Sequence, residues 1–332
     1  MEDDTMWKMD SSFFGENKYL LTSYPIDDTT LAVSNQHFLA YVYASRSGLT
    51  GGGYLSSKLS IPVAPSLSKS FGINYIDSQT LRFFPIRRPT NSASVFYSPT
   101  YSDALFSQKS FPVPLYGRGY PIVGNRALIP IEIMNNEAIL HLMEVYTGID
   151  LSMEVIKEIV LTPHGPDRGF ESFGYYSYAF FDRYFIMWNA QLYRIDNDGN
   201  VKSFGSSFVP GEYAPHQIFQ LREYLFAITD DALLISIDQG ENWSTYIKNI
   251  SQDLLRLTYQ NIGDELYGFS GSQIVKFSMD GESIVFYELE NKGLETHHIT
   301  SINKLGNYYY TTTLSGLFYK DAEYFLTQRV RE

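Results

Sequence analysis

Asp182-Arg183-Tyr184-Phe185-Ile186-Met187-Trp188, followed closely by Gln191-Leu192-Tyr193-Arg194-Ile195, is a phrase that this chain repeats. It returns as Arg222-Glu223-Tyr224-Leu225-Phe226-Ala227 with Leu233-Leu234-Ile235-Ser236-Ile237. A third copy is Gly263-Asp264-Glu265-Leu266-Tyr267-Gly268 with Gln273-Ile274-Val275-Lys276-Phe277. The last is Gly306-Asn307-Tyr308-Tyr309-Tyr310-Thr311 with Gly316-Leu317-Phe318-Tyr319-Lys320. Anchored on Asp182, Arg222, Gly263 and Gly306, the copies are 40, 41 and 43 residues apart. Each reads as a polar turn, a short hydrophobic strand, a brief turn, an alternating strand, an Asp/Gly turn and another strand. With the segment before each anchor, that is four short strands per copy. A four-stranded unit every ~40–45 residues is the signature of a propeller blade. A solenoid of helix pairs would instead show apolar residues spaced by three and four.

The first half keeps the same beat more loosely. Its anchors are Asn35 before Gly53-Tyr54-Leu55, Ser78 before Ser94-Val95-Phe96-Tyr97, and Asn125 before Ala138-Ile139-Leu140. Counting both halves predicts an all-β fold, a seven-bladed β-propeller of four-stranded antiparallel blades over 1–332, with six or eight blades as alternatives. Asn125 and Asp182 are 57 residues apart, which places an insertion in the third blade over 137–161, with Met153–Ile159 as a short helix. A ring of blades must close, because an open end leaves a strand edge exposed. Residues 322–330 can supply the outer strand of the last blade, and the segment 1–24 can lie against it or start the first blade; both termini remain candidates for closing the ring.

Composition agrees with sheet. Twenty-seven Tyr and 23 Phe dominate a 16% aromatic fraction, and rings and β-branched side chains suit a pleated, half-buried surface. The net charge is −12 and the basic residues are scattered, Arg87-Arg88 being the one adjacent Arg pair. Nucleic acid is therefore not expected as the main partner, since that requires clustered cations to replace counterions. The absence of Cys removes disulfides, thiolate metal sites and a Cys nucleophile. Residues 1–8 have neither a basic region nor an apolar run, so no signal peptide is read there, and synthesis in the cytosol is expected. No stretch approaches the roughly 18–20 apolar residues of a membrane span.

Within the fifth repeat stands Ser236-Ile237-Asp238-Gln239-Gly240-Glu241-Asn242-Trp243. It resembles the Asp-box, a hairpin motif of form Ser/Thr-x-Asp-x-Gly-x-Thr-Trp found in sialidases, where it is also called the BNR repeat, and in many other propellers. The short Asp238 side chain suits bonding to amides inside the turn, and Gly240 suits a positive φ. Trp243 is expected to fold under the turn and pack into the blade. The match departs at Asn242, where Thr is usual. Ser236, Asp238, Gly240 and Trp243 are thus structural site residues, and the motif is silent on activity because it sits on the blade rim.

Equivalent turns occur at Asp196-Asn197-Asp198-Gly199-Asn200 and Met279-Asp280-Gly281-Glu282. The first opens like a calcium loop, but Ser207 stands where a Glu ligand is needed, so a tight hairpin is expected and no metal. A sialidase would need an arginine cluster, for which Arg82, Arg126, Arg183, Arg194, Arg222 and Arg256 qualify by type. The Arg-Ile-Pro opening of that family is missing; Phe84-Pro85-Ile86-Arg87-Arg88-Pro89 does not replace it. His164, His216, His297 and His298 recur before repeat anchors, where loop-to-backbone bonding is expected. Gly51-Gly52-Gly53 lacks the Lys and helix of a phosphate loop. Tyr175-Tyr176-Ser177-Tyr178 and Tyr308-Tyr309-Tyr310 read either as a ligand face or as rings packing between blades.

The expected function is a non-catalytic assembly module that contacts other protein subunits of a larger complex, with a virion component such as a bacteriophage tail protein as the specific form. No cofactor is expected. The alternatives are a carbohydrate-binding or glycan-hydrolysing Asp-box propeller and an intracellular interaction module. Propellers host all three, so fold does not decide.

Overall fold

The structure is a computed structural model. It describes residues 5–10, 20, 22–27, 30–34, 39–45, 48–50, 54–55, 73–76, 79–85, 93–98, 107–111, 121–133, 137–147, 151–163, 176–189, 191–204 and 215–329. His164, Gly51–Gly53, Ile86–Pro89, Tyr175 and Ser207 lie outside the described residues.

Chain order begins with β1 (Lys8–Met9), then β2 (Thr22–Asp27), β3 (Thr30–Ser34), β4 (Leu39–Ser45), β5 (Gly48–Thr50) and β6 (Tyr54–Leu55). The next sheet holds β7 (Ile73–Ile76), β8 (Gln79–Pro85), β9 (Ala93–Ser98) and β10 (Ser107–Phe111). It is followed by β11 (Ile122–Val123), β12 (Arg126–Ile133), β13 (Ala138–Thr147) and β14 (Leu151–Leu161). Then come β15 (Tyr176–Phe180), β16 (Arg183–Trp188), β17 (Gln191–Ile195) and β18 (Val201–Ser203). The sheet after that comprises β19 (Gln217–Leu221), β20 (Tyr224–Ile228), β21 (Ala232–Ser236) and β22 (Ser244–Lys248). A one-turn helix α1 (Gln252–Leu255) leads to β23 (Thr258–Ile262), β24 (Glu265–Ser270), β25 (Gln273–Asp280) and β26 (Ser283–Glu288). The last strands are β27 (Ile299–Leu305), β28 (Tyr308–Thr313) and β29 (Gly316–Asp321), followed by α2 (Ala322–Phe325).

Every sheet is antiparallel, and among the described residues there are seven; five run through four strands in sequence order, β2–β5 do so with β6 also pairing β4, and the last sets β1 beside β29, β28 and β27. This is the blade pattern of a β-propeller, and the chain is an all-β protein of that class. The four anchors read from the sequence share one backbone state. Asp182, Arg222, Gly263 and Gly306 have φ of 56°, 56°, 59° and 56°, each in the tight turn that opens a sheet's second strand. Positive φ in two-residue hairpin turns matches the right-handed twist of the flanking strands.

The chain divides into two compact units, one of residues 61–251 and one of residues 1–60 with 252–332. In the first unit the middle strands are buried on both faces: β16 is buried from Tyr184 to Trp188 and β20 from Leu225 to Ile228. Outer strands β18 and β22 are half-buried or exposed. Burial on both faces explains why Tyr-Phe-Ile-Met-Trp is apolar throughout, where a half-buried strand would alternate. One core cluster joins Leu128, Leu140 and Leu142 to Tyr184, Ile186 and Tyr193; the next joins Phe185, Met187 and Leu192 to Leu225, Ala227 and Leu234. Successive sheets therefore stack face to face through alternate residues of β16.

Strands β13 and β14 pair antiparallel from Ala138↔Leu161 to Thr147↔Leu151. The helix expected over Met153–Ile159 is instead strand, because pairing with β13 outweighs the helical pattern of its Glu and Lys residues.

In the second unit, one cluster packs Tyr267, Phe269 and Ile274 against Ile302, Tyr309 and Phe318, and another packs Leu31, Val33 and Val42 against Leu305, Tyr310 and Leu317. The sheet of β27–β29 takes its outer strand from β1, by the pairs Lys8↔Tyr319 and Met9↔Phe318. Among the described residues, 322–329 do not supply that strand. Asp321 caps α2 by accepting a hydrogen bond from the Glu323 amide at 2.9 Å, and the chain then makes a single bridge, Leu289↔Gln328. Among the described residues, no helix is long and apolar enough to cross a membrane.

Candidate functional site

The turn between β21 and β22 is built around one carboxylate. Asp238 Oδ1 accepts from the Asn242 amide and from the Ser236 hydroxyl, both at 2.8 Å, and Oδ2 accepts from the Asn242 side-chain amide at 2.8 Å. Ser236 Oγ in turn accepts from the Gly240 amide at 2.8 Å. Gly240 has φ of 82°, and Trp243 packs against the core cluster beneath. The departure at Asn242 thus has a structural role: its side chain closes the turn by a bond to Asp238.

The turn between β17 and β18 repeats this construction. Asp196 Oδ1 accepts from the amides of Asp198 at 3.0 Å and Asn200 at 2.8 Å, and Oδ2 accepts from the Asn200 side chain at 2.9 Å. In both turns an Asn four residues after the Asp satisfies both of its oxygens. Burial alone would push the two carboxyls up, but the hydrogen bonds from Asn200 and Asn242 outweigh it and hold both below the ordinary range. A carboxylate depressed in this way adds stability above its unfolded pKa of about 4 and loses it as pH falls through the folded value. The melting temperature is accordingly expected to drop on acidification below about pH 4. Asp238→Ala should melt lower at neutral pH and show a shallower acid slope in thermal scans; identical slopes would remove Asp238 from this account.

Each turn is also gripped by the sheet before it. Arg126, first residue of β12, donates to the Asn197 carbonyl at 2.7 Å, and Lys157 of β14 donates to the Asp198 carbonyl at 3.2 Å. One sheet later, Arg183, first residue of β16, donates to the Gln239 carbonyl at 3.0 Å, and Lys202 of β18 donates to the Glu241 carbonyl at 2.5 Å. The second and fourth strands of one sheet therefore place a guanidinium and an ammonium on the Asp turn of the next, twice over.

Glu241 carries the second grip further. Its carboxylate pairs with Arg194, lies 3.4 Å from Arg183 and is 3.2 Å from Lys202. Arg194 and Lys202 are direct cross-strand partners, and like charges in that position repel unless an anion lies between them. The bond from Arg194, with Lys202 beside it, holds the Glu241 carboxyl below its ordinary range. Of the arginines singled out by type, the structure brings Arg183 and Arg194 together, and Glu241 occupies both. Arg126 serves the other turn, Arg222 lies in the β19–β20 turn, Arg256 follows α1, and Arg82 is in β8. Lys202, Lys157 and Glu241 were not legible as partners, since nothing local links Lys202 to Glu241, 39 residues apart, or Lys157 to Asp198, 41 residues apart.

Other titratable groups are also engaged. Lys276 is buried and pairs with Glu265, which accepts from the Tyr267 hydroxyl at 2.5 Å. Burial, with Glu265 beside it, pushes the Tyr267 phenol strongly up, the opposite of what a phenolate nucleophile requires. His216 Nε2 lies 2.5 Å from Asp230, and the His297 ring packs on Phe318 at 4.6 Å. Among the described residues, His216 thus meets a carboxylate and His297 an aromatic ring. Tyr309 stacks on Phe325 at 3.7 Å, and Tyr176 and Tyr178 pack against the core, so these rings fill space between sheets. Among the described residues, no group of three or more His, Asp or Glu is placed to hold a metal ion.

The first strands of three sheets in the second unit are tied by polar side chains. Gln260 of β23 donates to the Ile302 carbonyl of β27 at 2.6 Å, and Asn303 of β27 donates to the Ser23 carbonyl of β2 at 3.0 Å. Ser23 and Ser301 hydroxyls are 2.6 Å apart. Buried polar groups this well paired stabilise one register.

No family model matches the sequence, and no curated protein matches it. Among solved structures, the extracellular domain of a putative one component system from B. thetaiotaomicron superposes with a TM-score of 0.59 at 9% identity, over 96% of this chain and 40% of that one. The AfRom2 CNH domain superposes with a TM-score of 0.55 at 8% identity, over 94% of this chain and 97% of that one. PorZ, described as an essential bacterial surface component of the type-IX secretion system of Porphyromonas gingivalis, gives 0.51 at 10% identity, over 94% of this chain and 37% of that one. This chain thus spans well under half the length of the first and third. These likenesses are of fold.

Proposed function

We propose that the chain is a non-catalytic assembly module whose outer strands contact other protein subunits. The observation that carries this reading is the edge of β14, where Val155, Ile156 and Val160 are 46%, 41% and 48% exposed. β14 is an 11-residue outer strand, whereas β18, β22 and β26 have 3, 5 and 6 residues. A long edge with exposed apolar side chains is a template for another chain. The engaged carboxylates of Asp196, Asp238, Glu241 and Glu265 support a structural role for the site. A virion component, such as a bacteriophage tail protein, is the specific form of this reading, supported by the degenerate repeats.

Light scattering on the purified chain and on its source extract is expected to find it in a particle heavier than one chain. Val160→Glu should release it from that particle with its melting temperature within a few degrees of the parent, since the side chain is exposed. A strict monomer in both samples would overturn the reading.

A carbohydrate-binding or glycan-hydrolysing Asp-box propeller ranks second. Its support is the resemblance of residues 236–243 to that motif and the meeting of Arg183 with Arg194. Glu241 already holds those arginines. A glycan screen that found saturable binding, lost on Arg183→Gln, would reverse the order.

A further inference from the structure

We propose that the outer edge of β14 takes an extended segment of another protein, one that carries a Lys or Arg two residues from an apolar side chain. The proposal rests on the assembly reading above and names the chemistry of the partner.

Strand β14 is the last of its sheet, and among the described residues only β13 pairs with it. Its edge is not uniform. Val155 and Lys157 lie opposite Met143 and Leu142, which are adjacent in β13, so Ile156 has no opposite residue and forms a bulge. A bulge bends the strand and interrupts pairing along its free side. The regular run beyond it is Lys157–Leu161. Successive residues of a strand point to opposite faces. Lys157, Ile159 and Leu161 point toward the next sheet, where Lys157 reaches the Asp198 carbonyl and the other two join the cluster that holds Tyr184 and Tyr193. Glu158 and Val160 point the other way and are exposed, Glu158 over 61% of its side chain. Glu158 Oε2 lies 3.3 Å from the His141 ring, and among the described residues Oε1 has no partner. A strand laid beside this run meets Glu158 and Val160 with two of its own side chains, also two residues apart. Val160 calls for an apolar one and Glu158 for a cation.

Charge selects the class of partner. Glu154, just before the bulge, is exposed and lies directly opposite Glu144. Like charges so placed repel, and Glu154 has no ion-pair partner among the described residues. A cation brought by the partner would relieve that pair. The chain as a whole carries −12, so a basic segment is drawn to it while a second copy is repelled. Paired with itself across a two-fold axis, the run would set Glu158 against the second copy's Glu158 or Val160, with no cation in either place.

The probes are two fluorescent octapeptides, Lys-Thr-Val-Thr-Lys-Thr-Val-Thr and the same peptide with Glu at both Lys positions. Anisotropy titrations at low salt are expected to show saturable binding of the first, about tenfold tighter than of the second and weakening as salt rises. Glu154→Lys combined with Glu158→Lys should reverse that preference, with the melting temperature within a few degrees of the parent because both side chains are exposed. No binding of the basic peptide, equal binding of the two, or a preference untouched by the charge reversal would overturn the proposal. The particle that takes up the full chain separates this idea from the assembly reading. If it loses Val160→Glu but keeps the charge-reversed variant, β14 remains a contact and the basic partner is removed. A particle built only of copies of this chain also removes the basic partner and leaves assembly standing. A strict monomer removes both.

Discussion

Trp7→Ala is expected to lower the unfolding free energy by about 3–5 kcal/mol, the range for emptying a fully buried large aromatic site. The indole is 4% exposed and sits in the cluster that joins Tyr267, Leu289, Ile302 and Phe325. Its removal leaves a cavity whose walls belong to β24, β27, β29 and α2, four elements that cannot all move inward together. Residues 7–10 are also held by few main-chain bonds, the two rungs to β29 and the amides of Trp7 and Asp10. Without the anchor, the outer edge of β29 loses its partner strand. Urea titrations of parent and variant measure the effect. A loss below about 1 kcal/mol, the scale of a surface substitution, would mean that the last sheet does not depend on its first-strand partner.

Gly240→Ala is the second large effect, expected at about 2–5 kcal/mol from a positive φ and overpacking combined. Gly240 has φ of 82°, and an added Cβ would stand 2.4 Å from Phe185 Cε1 and 2.6 Å from Cζ. Phe185 is fully buried, so its ring has no free volume to move into. Gly281→Ala provides the comparison, with φ of 60° and nothing within 4 Å of the added carbon. It should cost only the backbone preference, about 1–2 kcal/mol. Equal losses in the two variants, measured by thermal or urea unfolding, would show that Phe185 yields and that close stacking of the two sheets is not required at this turn.

The two substitutions lie on opposite sides of what could be read beforehand. Gly240 belongs to a turn legible from Ser236, Asp238 and Trp243, whose residue types announce a local hydrogen-bonded bend. The need for Gly there is sharper than a positive φ, however, because Phe185 of the preceding sheet presses on it. Trp7 lies in a segment read only as a candidate for closure, and nothing in Trp-Lys-Met-Asp marks its partner as β29, near the other end of this sequence. Residues 322–330 stood beside it as the other candidate for that strand. The Asp321 cap ahead of Ala-Glu-Tyr-Phe instead starts a helical turn, a signal that capping preferences make readable.

The sequence by itself determined the repeat of the second half and its turns, because these depend on neighbours within a few residues. Asp182, Arg222, Gly263 and Gly306, all with positive φ, stand in the turns before β16, β20, β24 and β28, and buried apolar runs follow Asp182 and Arg222. Only the tertiary structure decided which chain segment completes the last sheet, that Arg126 and Lys157 grip one Asp turn, and that Arg183 and Lys202 grip the next. It also decided that Glu241 sits among three cations. Those contacts join side chains dozens of residues apart, and they come within reach only when one sheet is laid on another. Charge and shape then select partners that no local pattern encodes.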